Sequence, residues 1–201
     1  MNDTEKFNSV VQKCHQLICA MSPDVAYERL ALIRRSLIRA LCAEATISPL
    51  YNHQFNSVLA YFPFISPLSC YYSDNIKLID LAMTDVLVPV VDYRCKLPRA
   101  INDCRHCGLD LDRLNDGKPC MLYLDDIQLL LVFEGKHHVY ASQMLGQPIS
   151  IPVQSVDLCD FPVTLDRQTM MWHYEDASYL AEWHAAAVWE ITQLLLTLDA
   201  I

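Results

Sequence analysis

Several signatures of nucleotide-binding and hydrolytic enzymes are missing from this 201-residue sequence. It has no Walker A loop, no Gly-x-Ser-x-Gly nucleophile turn and no glycine pattern of a dinucleotide-binding fold. It also has no internal repeat and no low-complexity segment. These absences argue against P-loop NTPases, α/β-hydrolases and dinucleotide-dependent dehydrogenases. They leave an ordinary globular chain, with 53% hydrophobic and 19% charged residues.

Long apolar runs are missing as well. No uncharged apolar stretch reaches the ~18 residues that a membrane helix needs, because Glu190 interrupts the most apolar segment. The residues after Met1 include Asp3 and Glu5, which have the wrong charge for a secretory signal. We therefore expect no membrane insertion and a cytoplasmic location.

Basic residues are scarce relative to acidic ones. The chain has 15 Lys plus Arg against 24 Asp plus Glu, so its formal net charge is −9. Because broad DNA binding depends on neutralising phosphates, this balance disfavours DNA as a partner. It leaves room for a small basic site, and it suits a protein partner at least as well.

Cysteine is abundant, at nine residues, and without an export signal these are expected to be reduced thiols. Cys104 and Cys107, followed by Gly108, resemble half of a zinc knuckle, with Cys95, Cys120 and His106 as further candidate ligands. Structural zinc sites usually pair two such halves, and no second CxxC or HxxxH is present. We therefore expect Cys104 and Cys107 to be ordinary thiols in a loop and not part of a zinc site or a redox site. Three other cysteines are predicted to pack as small hydrophobes: Cys14, Cys19 and Cys42.

The most informative stretch is residues 129–153. Its apolar start predicts a buried strand, and Gly135 then permits a sharp turn. A short helix should follow, closed by Gly146 and stopped by Pro148. Alternating residues 149–153 predict a second strand, where Pro152 indicates an edge or a strand end.

A polar cluster, residues 134–138, falls on the turn and the first turn of that helix. A helix N-terminus presents unpaired N–H groups and the positive end of the dipole, so it suits a phosphate, which Lys136, His137 and His138 would reinforce. Glu134 could hold a divalent metal or accept a proton. Many strand–turn–helix units with basic residues bind no phosphate, and that interpretation stays open.

The same residues resemble the signature of the ParB/sulfiredoxin superfamily, over roughly residues 85–158. Residues 134–138 match its acidic residue, glycine and basic pair. Ala141 matches its small helix residue, and Gly146 matches its second glycine. The closing strand of the motif is matched by Ile151, Pro152 and Val153. The resemblance implies nucleotide phosphate binding by Gly135, Lys136, His137 and His138, with ATP or another nucleotide and Mg²⁺. It also implies a possible ATP hydrolase or deoxyribonuclease, with Glu134, His137 and His138 as catalytic residues.

Within that superfamily the sequence is most similar to the Osa-type plasmid fertility-inhibition proteins, which block DNA export through a conjugative channel. This implies a bacterial protein that inhibits conjugative or oncogenic DNA transfer, with a secretion-system or coupling protein as partner. Two residues depart from the pattern. Lys136 stands where sulfiredoxins need their nucleophilic cysteine, and His138 replaces the usual arginine, which weakens phosphate contact.

The whole chain predicts an α+β fold: a small ParB/sulfiredoxin-like mixed sheet with short helices, between a helical N-terminal region and a long C-terminal helix. We expect the segments 1–80, 81–160 and 161–201 to pack as one unit. The helical predictions are residues 4–21, 23–44, 48–62, a short helix capped by Ser73 and Asp74 that runs to Met83, and a last helix from Asp176. The others are a strand at 86–91, a polar connection at 97–119, a hairpin at 121–133 turning at Asp125 and Asp126, and an irregular segment at 159–175.

Two surface features leave alternatives open. Arg29, Arg34, Arg35 and Arg39 on the second helix could contact nucleic acid or an acidic partner, although such a stripe is more often a solvated face paired with acids such as Glu28. The aromatic-rich region 51–72 could seal the helices onto the core or form a patch for a partner. These features support a second hypothesis, a non-catalytic interaction protein that uses the same fold without turnover.

Overall fold

The computed structural model describes residues 1–47, 57–65, 75–89, 96–107 and 121–200. Within these ranges the chain forms five α-helices and eight β-strands, arranged as one mixed sheet and one antiparallel sheet. The predicted α+β class, with helices at the start and a helix at the end, is confirmed.

The first two helices match the amphipathic pattern of the sequence. Helix α1 spans Asp3–Ala20 and begins with a capping box, in which Asn2 and Glu5 each accept a hydrogen bond from the other's backbone N–H at 2.8 Å. Helix α2 spans Pro23–Ile47, with proline at its first position, where a missing N–H is harmless. Both are close to the predicted ranges.

The central sheet has five strands: β1 Ile76–Asp80, β2 Asp85–Leu87, β3 Met121–Leu124, β4 Leu129–Val132 and β5 Ser150–Val156. Their spatial order is β1-β5-β3-β4-β2. The pairs β1/β5 and β3/β4 are antiparallel, whereas β5/β3 and β4/β2 are parallel. The predicted hairpin over 121–133 is therefore confirmed. Pro152 lies within β5, an interior strand, so the predicted edge or strand-end position is wrong; among the described residues its partner is Leu78 of β1, and the pairing of β5 with β3 begins at Gln154.

Helices cover both faces of this sheet. Helix α3, Lys96–Cys107, and helix α4, Lys136–Met144, pack against one face, where Leu130 and Val132 of β4 point. The other face, with Leu129 and Leu131, packs against the helical layer of α1, α2 and the C-terminal helix. Burial on both faces explains why β4 is an unbroken apolar run.

A second, three-stranded sheet precedes the last helix. Strands β6 Val163–Asp166, β7 Met171–Tyr174 and β8 Ala177–Leu180 form an antiparallel meander, and helix α5, Trp183–Asp199, follows and packs on α1 and α2. The irregular segment predicted at 159–175 and a helix start at Asp176 are therefore wrong. Tyr179 and Leu180 fit the helical stripe by spacing, but they lie on β8, where they are 38% and 68% exposed.

Other local predictions also need correction. The connection predicted at 97–119 begins with helix α3, and the helix predicted up to Met83 is replaced by strand β1. Of the helix predicted at 48–62, the part inside the described residues contains only a single 3-10 turn at Val58–Ala60. Cys19 is exposed instead of packed, while Cys14 is buried as predicted.

The aromatic-rich region 51–72 is described only in part. Tyr61, Phe62 and Phe64 are all at most 2% exposed and belong to the core, as the sealing interpretation requires. Tyr51, Phe55, Tyr71 and Tyr72 lie outside the described residues. In the described part of the chain, no helix combines the length and apolar character that crossing a membrane requires.

Candidate functional site

The predicted polar cluster lies where β4 leaves the sheet and α4 begins. Gly135 is the N-cap of α4 and has φ of 69°, a left-handed conformation that glycine adopts at little cost. Val139 and Ala141, further along the helix, are buried against the sheet. The turn therefore positions Lys136, His137 and His138 on the first turn of the helix, where the positive end of the helix dipole lies.

Helix α3 brings its own N-terminal turn to the same place. A cleft of about 530 Å³ is lined by Lys96, Arg99 and Ala100 of α3 and by residues 134–138; we call it the α3/α4 cleft. Two helix N-terminal turns thus contribute to one cavity. Since each helix start carries partial positive charge, their joint presence favours an anion.

The side chains lining this cleft are mostly basic. Among the described residues eight line the cleft, of which five are Lys, Arg or His and one, Glu134, is acidic, in a chain whose net charge is −9. The predicted residues Glu134, Lys136, His137 and His138 are therefore brought together. Sequence reasoning missed Lys96 and Arg99, although the spacing of Leu97, Ala100 and Cys104 could have revealed the helix that carries them.

Lys136 is a partly buried cation. Burial lowers the pKa of its ammonium group from the usual value, because the charged form loses hydration there. A phosphate in the cleft would compensate this loss by supplying a negative charge. Glu134 lines the same cleft and is exposed, so a carboxylate and an ammonium group both border the cavity.

His138 lies between the two helices. Its Nε2 is 3.6 Å from Oδ2 of Asp103 on α3, and its backbone carbonyl accepts a weak hydrogen bond from Sγ of Cys104 at 3.6 Å. Nε2 of Gln147, beyond the C-terminus of α4, donates to the carbonyl of Cys104 at 2.8 Å. These contacts fix α3 and α4 to each other, and with them the width of the cleft.

Helix α4 is also tied to the sheet. Nε2 of Gln143 donates to the carbonyls of Leu81 and Thr84, each at 3.1 Å, in the connection between β1 and β2. At the C-terminal end of the helix, Gly146 has φ of 62°, which confirms its predicted role in closing the helix. The C-terminal end of α4 is therefore held independently of any ligand.

The cysteine pair considered for zinc lies on α3. Cys104 is fully buried in the core, where burial raises the pKa of its thiol and the nearby charge of Asp103 adds to the effect, whereas Cys107 is exposed. The candidate ligands Cys95 and Cys120 lie outside the described residues, so zinc binding stays a prediction. Among the described residues, Asp157, Cys159 and Asp160 form the one group of three whose ligand atoms lie within 4.8 Å of each other.

Asp125 and Asp126 form the turn between β3 and β4, at the opposite end of β4 from Gly135, as predicted. Asp126 accepts backbone hydrogen bonds from Leu158 at 2.9 Å and from Cys159 at 3.3 Å, and burial raises the pKa of its carboxyl group. Asp125 pairs with Lys77. The Asp126 carboxylate therefore holds the turn against the chain after β5, while Asp125 ties the turn to β1.

Comparisons with models of protein families, with curated proteins and with solved structures found no match to this chain. The relation to the ParB/sulfiredoxin superfamily therefore remains a resemblance carried by residues 129–153. The functional argument rests on the α3/α4 cleft itself.

Proposed function

We propose that this protein binds the phosphate groups of a nucleotide in the α3/α4 cleft. The observation that carries this proposal is the convergence of two helix N-terminal turns and five basic side chains on one cavity of an acidic protein. Backbone N–H groups of α4 and the ammonium group of Lys136 would hold one phosphate. A cavity of about 530 Å³ is large enough for a small ligand.

Arg99 strengthens this proposal at the point where the motif is weakest. The family arginine is replaced by His138, whose imidazole is a weaker phosphate ligand than a guanidinium group. Arg99 lines the same cleft from α3 and offers the fork of N–H donors that His138 lacks. Arginine is therefore present at the site, although it comes from a different element.

A hydrolytic activity is the further part of the proposal. Glu134 would act as the base or as a ligand of Mg²⁺, which typically uses one or two carboxylates together with phosphate oxygens. When bound, the magnesium ion would neutralise phosphate charge. His137 and His138 would orient the phosphate, and the reaction would be release of phosphate from a nucleotide or cleavage of DNA. The setting that the resemblance implies is inhibition of conjugative or oncogenic DNA transfer through a secretion or coupling protein.

Calorimetric titration tests the binding step. We expect ATP or CTP, with Mg²⁺, to bind the wild type and to bind about tenfold or more weakly to Lys136→Ala and Arg99→Ala, because each loses a charged hydrogen bond worth roughly 1.5–3 kcal/mol. Arg105→Ala is the matched control, since Arg105 is exposed in the last turn of α3 and does not line the cleft. Equal binding by all four proteins would place the nucleotide elsewhere.

Turnover is tested separately with Glu134→Gln. This variant keeps the size of the side chain and removes its charge, so we expect retained ATP binding and loss of phosphate release. If neither ATP nor plasmid DNA is cleaved by a wild type that binds nucleotide, the protein is a non-catalytic binder. That second candidate is favoured by the substituted arginine and by the exposed surface of α2 described next.

A further inference from the structure

Helix α2 presents an arginine-rich surface away from the α3/α4 cleft. Among the described residues, only Arg39 of its arginines has a carboxylate within 4.0 Å, which is Asp85 at 3.8 Å. Glu28 forms no ion pair there with Arg29 or Arg35. Arg29, Arg35 and Arg39 are exposed, as the solvated-face interpretation predicts, but the expected pairing with Glu28 is not observed among the described residues, and Arg34 is partly buried.

A groove of about 460 Å³ runs between α2 and the turn that joins β3 to β4. We call it the α2 groove, and its principal lining residues are Tyr27, Leu32, Arg34, Arg35, Ile38 and Ile127. Its walls are largely apolar, and the two arginines supply its positive charge. This combination of an aromatic ring, arginines and an apolar floor is typical of the energetically important part of protein interfaces.

Arg34 is the feature of this groove that most needs a partner. Burial lowers the pKa of its guanidinium group because the charged form loses hydration, and the nearby charge of Asp126 only partly opposes this shift. Within the described residues Nη1 donates one hydrogen bond, to Oγ1 of Thr192, and its length of 3.4 Å makes it a weak one. A guanidinium group has five N–H donors, so this bond satisfies little of its capacity. A carboxylate in the groove would satisfy these donors.

We propose that the α2 groove binds a segment of a partner protein that carries an Asp or Glu side chain beside a bulky apolar one. The carboxylate contacts Arg34, with Arg35 at the side, and the apolar side chain packs on Leu32 and Ile38. This proposal is independent of the α3/α4 cleft, because the two sites share no residue.

The surroundings of the groove favour a polypeptide over other ligands. Leu32 is 59% exposed and Val25, two turns earlier on α2, is 44% exposed, so apolar surface continues beyond the cavity. A small molecule is usually enclosed on most of its surface, which an open groove does not provide. Glu28 and Asp85 also line the groove, so it suits a single carboxylate placed at Arg34 better than the continuous row of phosphates of a nucleic acid.

The test selects ligands from a phage-displayed library of short random peptides and measures the selected peptides, once synthesised, by fluorescence polarisation. We expect a consensus of acidic and bulky apolar residues. Binding to Arg34→Gln should be about tenfold weaker or more, because a charged hydrogen-bonded pair is lost. Arg105→Gln makes the same charge change on α3 and should stay within about twofold of the wild type.

Leu32→Ser provides the second variant, because this exposed residue can be replaced without endangering the fold, and it should also weaken the peptides. The proposal is overturned if no acidic consensus emerges, or if Arg34→Gln and Leu32→Ser bind the peptides as the wild type does. It is equally overturned if a mixed-sequence oligonucleotide binds with the same dependence on Arg34 and Leu32.

Discussion

The positive charge of Lys136 is electrostatically unfavourable in the ligand-free protein. Its ammonium group is partly buried next to a helix N-terminus, where the helix dipole also disfavours a cation. Burial of the charged group lowers the stability of the fold, and a bound anion would offset that cost. The arrangement is therefore understandable as a binding feature, since it lowers stability locally and becomes favourable with phosphate present.

Replacing Lys136 by Met should stabilise the ligand-free protein at neutral pH. The pKa of Lys136 is lower in the folded state than in the unfolded state, so its destabilising effect is complete below the folded pKa. The effect disappears as pH rises above the unfolded value of 10.5. Urea unfolding at pH 7 and near pH 10 measures this, with exposed Lys13→Met as control. The prediction is contradicted if Lys136→Met is less stable than the wild type, by the same amount at both pH values.

Trp172 supports a second prediction at the scale of one residue. It is fully buried, with ring centroids 5.2 Å from Phe64 and 6.0 Å from Trp189, yet its indole N–H has no hydrogen-bond partner among the described residues. Trp172→Ala should cost roughly 3–5 kcal/mol of unfolding free energy. Trp172→Phe should cost much less, because it also removes the unsatisfied donor.

Denaturant unfolding of both variants and of Trp189→Phe checks this. Trp189 is 6% exposed in the same cluster, and its indole N–H is not left buried without a partner. Trp189→Phe therefore lacks the compensating gain and should be the more costly of the two Phe substitutions. A loss for Trp172→Phe as large as that for Trp189→Phe would show that the buried N–H carries no cost.

At the scale of the element, helix α4 offers a matched pair of glycines. Gly135 and Gly146 flank it with φ of 69° and 62°, and a Cβ on Gly146 would meet no atom within 4 Å. Each substitution by Ala should therefore cost about 1–2 kcal/mol through the left-handed backbone conformation. Only Gly135→Ala should also weaken nucleotide binding, because only Gly135 borders the cleft. Unfolding curves and titrations of both variants decide this, and equal effects on binding would contradict the role of the Gly135 turn.

The link between the second sheet and α5 gives another element-level prediction. Arg167, after β6, donates to both carboxylate oxygens of Glu190 at 2.9 and 2.6 Å, and Glu190 is only 6% exposed. Arg167→Ala should cost roughly 1–3 kcal/mol, because it leaves the buried carboxylate without its partner while the exposed guanidinium side of the pair is open to water. The double variant Arg167→Leu, Glu190→Leu should lose less than that. A double-mutant cycle in urea measures the coupling, and additive losses would show that the pair is not coupled.

Elements with one clear period could be predicted from the sequence. Helices α1 and α2, the β3/β4 hairpin and the unit from β4 to β5 follow from apolar spacing together with Asn2, Gly135 and Gly146. Helix α3 was missed because polar residues and Pro98 obscure a short apolar stripe. Strands β7 and β8 were missed because exposed apolar residues such as Leu180 also satisfy a helical spacing.

In the candidate site too, some features could be predicted from local sequence and others depend on how the helices pack. Residues 134–138 are contiguous, so local turn chemistry was enough to bring Glu134, Lys136, His137 and His138 together. Lys96 and Arg99 reach the cleft only because α3 packs beside α4, through contacts such as the one between Gln147 and Cys104. A single sequence contains no local signal for that packing.

At the scale of the whole molecule, the central sheet lies between two candidate binding surfaces. Helices α3 and α4 on one face form the basic cleft, whereas α1, α2 and α5 on the other face build the larger core and present the α2 groove. With a net charge of −9, the basic side chains are effective only where they are concentrated. The account therefore predicts local anion binding without broad affinity for nucleic acid.

Titration of ATP with Mg²⁺, followed by backbone amide NMR, tests the central claim most directly. The account predicts that the largest shift changes fall on the amides of Gly135, Lys136 and His137 and on the first turn of α3, and that Lys136→Ala abolishes them. If no amide in these two turns responds at about millimolar ATP, or if the responding amides lie elsewhere, the α3/α4 cleft is not a phosphate site.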